Sequence, residues 1–337
     1  MLKKLLVVSL LFSLIVMVGC SLPDTFLIKT VSADLELKET TVGGNRGWFV
    51  SDKIAIINID GEIFNGTPGG GLLGGTGENP VSAFKEKLDK AAADSAVKAV
   101  VLRINSPGGS VTASDMMYNM LINFRQETGK PVVACMLDLA ASGGYYIACG
   151  CDYIISGPTT ITGSIGTIMQ SFTIQGTMQM LGVKSVTIKS GNMKDAGSPF
   201  RDMQENEKEY LQTIIMNYYE RFLGVVKAGR PKLSEDKIRL LADGRVYIGN
   251  QALKLGLVDA LGYPEDAVRW AFNKAQLKKA KVIMYHRPFE TPSSYYGTSM
   301  KAANPSASMV NVINVDLPRW MKGQTPGFMY LWSPELE

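Results

Sequence analysis

The sequence predicts an α/β fold, and three stretches carry that prediction. Each is a short apolar run that passes through a glycine-containing loop into a helical pattern. The first is Val97 to Ile104, then Asn105-Ser106-Pro107-Gly108-Gly109-Ser110, then Val111 to Arg125. The second is Pro131 to Leu137, then Asp138-Leu139-Ala140-Ala141-Ser142-Gly143-Gly144, then Tyr145 to Ala148. The third is Tyr153 to Ser156, followed by Thr159-Thr160-Ile161-Thr162-Gly163-Ser164-Ile165-Gly166. Apolar runs of this length read as buried strands, and their repetition with helices indicates an α/β core.

The remaining elements follow in order. Lys53 to Asp60 is rich in isoleucine and reads as the first core strand. Asn65 to Pro80 is dense in glycine but has neither a Gly-Lys-Ser/Thr nor a Gly-x-Gly-x-x-Gly that opens a helix. It therefore reads as a mobile loop near a groove rather than a phosphate cradle. Val81 to Ala93 has helical period, with Phe84, Leu88 and Ala92 on one face. Val186 to Lys189 reads as a short strand and Ser190 to Arg201 as a loop. Gln204 to Val226 reads as a long amphipathic helix with Tyr210, Ile214, Tyr218 and Phe222 on its stripe. Shorter helices are expected over 236–241, 248–255 and 262–274, and a last strand over 281–285. From Arg287 to Ala307 the composition predicts a mobile segment. The aromatics and prolines between Trp320 and Trp332 suit docking on a neighbour.

Composition narrows the function classes. The 337 residues are 46% hydrophobic and 20% charged, as in globular proteins, and the small net charge of +4 gives no sign of the concentrated basic face that nucleic acid needs. At the N-terminus Lys3 and Lys4 precede an apolar run from Leu5 to Val18, which reads as an export signal. The run is short for a spanning helix, which takes about 20 residues. It ends in Met17-Val18-Gly19-Cys20, similar to a bacterial lipobox with Cys20 as the lipidated residue; an uncleaved signal anchor is the competing reading. Cys135, Cys149 and Cys151 then remain, an odd number with no zinc-type spacing, and they read as small buried hydrophobes. With one histidine in the chain, no metal site is expected.

Ser142 lies where a strand turns into a helix, between residues with little or no side chain. Such a place exposes a hydroxyl to a close-lying backbone and offers free N–H groups to a developing anion. A serine nucleophile needs a base. His286 is the only histidine, and the Gly-x-Ser-x-Gly elbow is incomplete because Ala140 stands at its first position. Lysine is the other base, provided that it is neutral; an ordinary lysine, of pKa about 10.4, is not. The Ser-x-x-Lys pairs Ser82/Lys85 and Ser95/Lys98 lie on or beside a polar helix. Lys189-Ser190-Gly191 resembles a Lys-Thr-Gly triplet, but no Ser-Asp-Asn accompanies it.

Five stretches in order give a specific resemblance. They are Asn105-Ser-Pro-Gly-Gly109, Ala141-Ser-Gly-Gly-Tyr-Tyr146, and Pro158-Thr-Thr-Ile-Thr-Gly-Ser-Ile-Gly166. The fourth joins Ser190-Gly-Asn-Met-Lys-Asp195 to Pro199-Phe-Arg-Asp202, and the fifth joins Asp243-Gly-Arg-Val-Tyr-Ile-Gly249 to Gly256-Leu-Val-Asp-Ala-Leu-Gly262. Over roughly residues 50 to 285 the chain resembles the signal peptide peptidase A family in its single-repeat form, serine–lysine peptidases of the Clp protease/crotonase fold. The resemblance implies a repeated strand-strand-helix core. It implies Ser142 as nucleophile, Lys194 as general base, Ser164 as the hydroxyl that orients the lysine, and the N–H groups of Gly109 and Gly143 as the oxyanion hole. It also implies remnant signal peptides and other membrane-proximal peptides as substrates, at the extracytoplasmic face of a bacterial membrane. In the doubled form of the family the lysine and the serine lie in different halves, so the single-repeat form is expected to make a homo-oligomeric ring with shared sites. Residues 1–20 are then a signal peptide or anchor, 21–50 a linker, 51–286 the peptidase domain and 287–337 a mobile tail. An acyl-coenzyme A enzyme of the same fold and a non-catalytic membrane scaffold are the alternatives.

Overall fold

The computed structural model describes residues 36–45, 47, 49–66, 78–288, 290–297, 300–301 and 327–332. The export signal, Cys20, most of the glycine-dense loop and most of the tail lie outside the described residues. In chain order the elements are β1 (Lys38–Gly44), β2 (Lys53–Asp60), α1 (Pro80–Ala93), β3 (Val97–Ser106), β4 (Gly108–Ser110), α2 (Val111–Thr128), β5 (Val132–Ala141), α3 (Gly143–Ala148), β6 (Tyr153–Ser156), β7 (Ile161–Gly163) and β8 (Ile168–Met169). There follow α4 (Gln175–Met180), α5 (Glu205–Gly229), α6 (Glu235–Leu241), β9 (Val246–Ile248), α7 (Gly249–Leu255), β10 (Ala260–Leu261), α8 (Pro264–Lys274), β11 (Lys281–His286), β12 (Glu290–Thr291), β13 (Met300–Lys301) and β14 (Phe328–Leu331).

The main sheet runs β1-β11-β2-β3-β5-β6-β10, with β7 branching from β5 to β9. Its centre is parallel: Ile56 pairs with Val101, Leu102 with Ala134, and Cys135 with Ile155. Parallel strands buried on both faces explain the unbroken apolar runs in the sequence. One face carries Val100, Leu102 and Ala134 against Phe84 and Leu88 of α1 and Met117 and Leu121 of α2. The other carries Val101, Val133 and Cys135 against Ala267 and Ala271 of α8.

Local signals set the helix bounds. Asn79 caps α1 by accepting from the N–H of Val81 and Ser82, and Pro80 supplies a fixed first turn. Ser110 caps α2, which stops at Gly129 in the left-handed region. The three cysteines are buried free thiols, and burial pushes Cys135 and Cys149 up to about 12.

Three expectations change. Lys38–Gly44, inside the expected linker, is an edge strand antiparallel to β11. Val186–Lys189 forms no strand among the described residues; Val186 and Ile188 stand exposed there. Phe328–Leu331, inside the expected mobile tail, packs in a second sheet of this same chain, in the order β4-β14-β8. The stripe on α5 is half realised: Phe222 is buried, whereas Tyr210 is exposed.

Candidate active site

β5 ends at Ala141 and α3 begins at Gly143, so Ser142 makes the whole turn between them. Its backbone adopts φ 52° and ψ −115°. Such a conformation costs a non-glycine residue roughly 1–3 kcal/mol and persists only where neighbours hold it. Here the Ser142 N–H donates to Gly163 O at 2.8 Å, and its carbonyl accepts from the Tyr146 N–H at 2.8 Å. The side chain is 1% exposed, and its Oγ has no hydrogen-bond partner among the described residues. A strained backbone thus presents a hydroxyl that the fold does not use.

The glycines on either side form a cradle. Gly109 lies on β4, where a Cβ would come within 1.9 Å of Ile63 O. The same clash geometry holds at Gly108, with φ +98°: a Cβ there would meet Tyr330 O at 2.0 Å and Gly143 N at 2.5 Å. At Gly143 a Cβ would meet Ser114 Oγ at 2.4 Å and Gly109 N at 3.2 Å. The amides of Gly109 and Gly143 therefore converge beside Ser142, an arrangement that can hold an oxyanion. Ser114 and Ile63 were not singled out in the sequence; nothing in their local pattern distinguishes them from core residues. We predict that Gly109→Ala forces β4 away from Ile63 and lowers kcat by about 100-fold or more, the typical loss for one oxyanion donor. Peptide hydrolysis within tenfold of the unsubstituted protein would refute the assignment.

Ser164 reaches the same place through β7. Ala141 pairs with Gly163, and Ser164 follows with φ 48° and its N–H donating to Arg245 O at 2.9 Å. Ser142 and Ser164 are two of the three non-glycine residues with positive φ among the described residues. Lys194 differs. It stands exposed in the loop between α4 and α5 and makes no hydrogen bond to the Ser142 hydroxyl. Around it Asp195 is gripped by Lys189 and Arg201. These bonds hold the Asp195 carboxyl well below the usual range.

The edge of β4 is taken by β14. Tyr330 lies opposite Gly109, and Trp332 N donates to Pro107 O at 2.9 Å. The alternation of an antiparallel ladder makes Gly109 and Tyr330 the next bonded pair. The Tyr330 ring is fully buried, stacked on Tyr146 at 5.1 Å and against Phe222 at 4.8 Å, with its hydroxyl donating to Tyr218 O at 2.6 Å. An extended segment thus lies along the glycine cradle with its carbonyl facing the converging amides.

The other nucleophile–base pairings are not supported. His286 is buried, with its two ring nitrogens 2.8 Å from Thr40 Oγ1 and 2.7 Å from Arg287 O. Lys85 pairs with Asp89, Ser95 and Lys98 stand exposed, and Lys189 is held by Asp195. Among the described residues no cluster of His, Cys, Asp and Glu could hold a metal ion.

The comparisons identify the family. The profile of peptidase family S49 matches residues 124–278, and that of Clp protease matches residues 79–156. The chain is 36% identical over 260 residues to "Putative protease MJ0651" of Methanocaldococcus jannaschii, covering 77% of this chain and 82% of that one. It is 38% identical over 223 residues to "Putative signal peptide peptidase SppA" of Enterococcus faecium, covering 64% of each. It is 38% identical over 227 residues to "Protease 4" of Haemophilus influenzae, covering 67% of this chain but 35% of that protein. Identity and coverage of this extent make the chain a serine peptidase that belongs to peptidase family S49.

Proposed function

We propose that the protein is a membrane-tethered endopeptidase that uses Ser142 and Lys194 as a dyad to cut remnant signal peptides and other membrane-proximal peptides. The observation that carries this reading is the Ser142 turn, with its unpartnered hydroxyl beside the Gly109 and Gly143 amides. Neutral Lys194 takes the Ser142 proton as Oγ attacks the peptide carbonyl. The two amides hold the oxyanion, and the lysine then returns the proton to the leaving amine. Water, activated by the same lysine, releases the acyl group. Ser164 orients the lysine, and no cofactor takes part.

β14 supports a peptide substrate. A substrate strand that pairs antiparallel with β4 in place of β14 would put one carbonyl between the two amides, the mode of strand addition to a sheet edge. Tethering rests on the N-terminal export signal, with lipidated Cys20 or an uncleaved anchor as its two forms. Among the described residues no helix is long and apolar enough to cross a membrane.

A ring supplies what one chain lacks. Lys194 of one subunit meets Ser142 of its neighbour, and the exposed Phe172, Met180, Leu181, Val186, Ile188 and Tyr210 give the contact an apolar surface.

The reading is tested on the full chain in detergent with a synthetic signal peptide and a folded control protein. Cleavage of the peptide and not of the control is expected. Activity should rise from neutral to mildly alkaline pH with one ionisation on the acidic limb, because only neutral Lys194 accepts a proton. A rate that is flat or falling over that range, on a stable protein, would count against a lysine base.

A further inference from the structure

The loop that carries Lys194 is fastened by one side chain. Arg201 Nε and Nη2 donate to the two Asp195 carboxylate oxygens, each at 2.9 Å, and Nη2 also donates to Asp195 O at 3.0 Å. On its other side Nη1 donates to Glu207 Oε2 at 2.9 Å and Nη2 to Glu207 Oε1. The Glu207 side chain is fully buried, and its Oε2 accepts from Gln204 N at 3.1 Å, closing the cap of α5. Arg201 therefore ties the residue next to Lys194 to the first turn of a long helix.

The charge arrangement has a second effect. Asp195 adjoins Lys194 in the chain, and a free carboxylate there would favour the ammonium form of the lysine. In the structure that carboxylate is already taken. Arg201 binds both of its oxygens, and Lys189 Nζ donates to Oδ1 at 2.5 Å. Glu207, the acid that faces the cluster from α5, is itself consumed by Arg201. At the start of that first turn Glu205 pairs with Lys208 at 3.8 Å. The residue that packs on the loop from β8, Met169, is uncharged.

We propose that Arg201 is a positioning residue for peptide hydrolysis: it holds the Lys194 loop on α5 and keeps the Asp195 carboxylate from pairing with Lys194. The proposal rests on Lys194 as the base. Removing the guanidinium leaves Asp195 with Lys189 alone, so its second oxygen, Oδ2, is released to turn to its neighbour and make the lysine harder to deprotonate. Removing the Asp195 charge as well takes that partner away.

The test is the pH profile of kcat for Arg201→Gln, Arg201→Lys and the double variant Arg201→Gln/Asp195→Asn, with Lys194→Ala alongside. For Arg201→Gln the acidic limb should move up by about one pH unit, with kcat at neutral pH down about tenfold and KM little changed. In the double variant the limb should return toward its original position. Arg201→Lys keeps the charge but loses the planar fork, so its limb should move by a smaller amount. A limb that stays in place in Arg201→Gln, or that the Asp195→Asn change does not bring back, overturns the proposal. Should Arg201→Gln fail to assemble, an unmoved limb in Arg201→Lys overturns it instead. The dyad is judged separately: substantial activity in Lys194→Ala removes Lys194 as the base. An inactive Lys194→Ala together with an unmoved limb defeats only the role given to Arg201.

Discussion

Replacing Ser142 with alanine should remove peptide hydrolysis, by on the order of 10⁵-fold or more in kcat, and leave the fold as stable as before. The chemical loss follows from deleting the proposed nucleophile. The neutral effect on stability follows from the surroundings: the buried Oγ has no partner, so its removal breaks no hydrogen bond. Ser142→Gly separates the two consequences. Glycine adopts φ 52° without the strain that serine carries, at the cost of more chain entropy in the unfolded state. We expect that variant to be inactive and to melt slightly higher, by about 2 °C for a net gain of about 1 kcal/mol. Peptide turnover within 100-fold of the unsubstituted protein in either variant, in a preparation free of other peptidases, would remove Ser142 from the reaction. A melting temperature several degrees lower for Ser142→Gly would mean that the backbone is not strained at this turn.

The parts of the molecule that the sequence revealed are those where one local pattern decides the outcome. Unbroken apolar runs such as Val132 to Leu137 have no solvent-facing alternative, so they had to lie inside a covered sheet. Small residues around Ser142 leave little choice but a tight turn at a strand end. What escaped depends on a partner far away in the chain. β1 looks polar and irregular because it is a bent edge strand whose register shifts between Thr41 and Gly43, and only β11 makes it a strand. β14 is four residues long and more than 200 residues beyond β4, too short to show a period. Val186 to Lys189 fails in the opposite sense. Its residues suit a strand, but no neighbouring strand is there to pair with among the described residues, and its apolar side chains are left exposed. The Arg201 clamp was visible only as part of a family-like stretch; that Arg201 joins Asp195 to Glu207 is a matter of geometry.

Mixing inactive Ser142→Ala subunits with inactive Lys194→Ala subunits should restore activity. The structure supplies the reason to expect a shared site: the Ser142 hydroxyl is buried and unpartnered, while Lys194 sits exposed on a loop flanked by apolar side chains that find no cover in one chain. In a ring of head-to-tail contacts each site takes its serine from one subunit and its lysine from the next. When the two variants mix at random in equal amounts, about one quarter of the interfaces carry both intact residues, so about one quarter of the unsubstituted activity should return. A double variant with both substitutions in one chain, mixed with unsubstituted subunits, provides the calibration: it removes sites in the same proportion without creating any. Exchange has to be shown independently, for example by energy transfer between differently labelled subunits. If labelled subunits exchange and the mixed variants stay inactive while the calibration behaves as expected, the lysine must come from the same chain as the serine. The loop between α4 and α5 would then have to fold inward on its own subunit, and the exposed apolar side chains along it would be the surface that it buries in doing so.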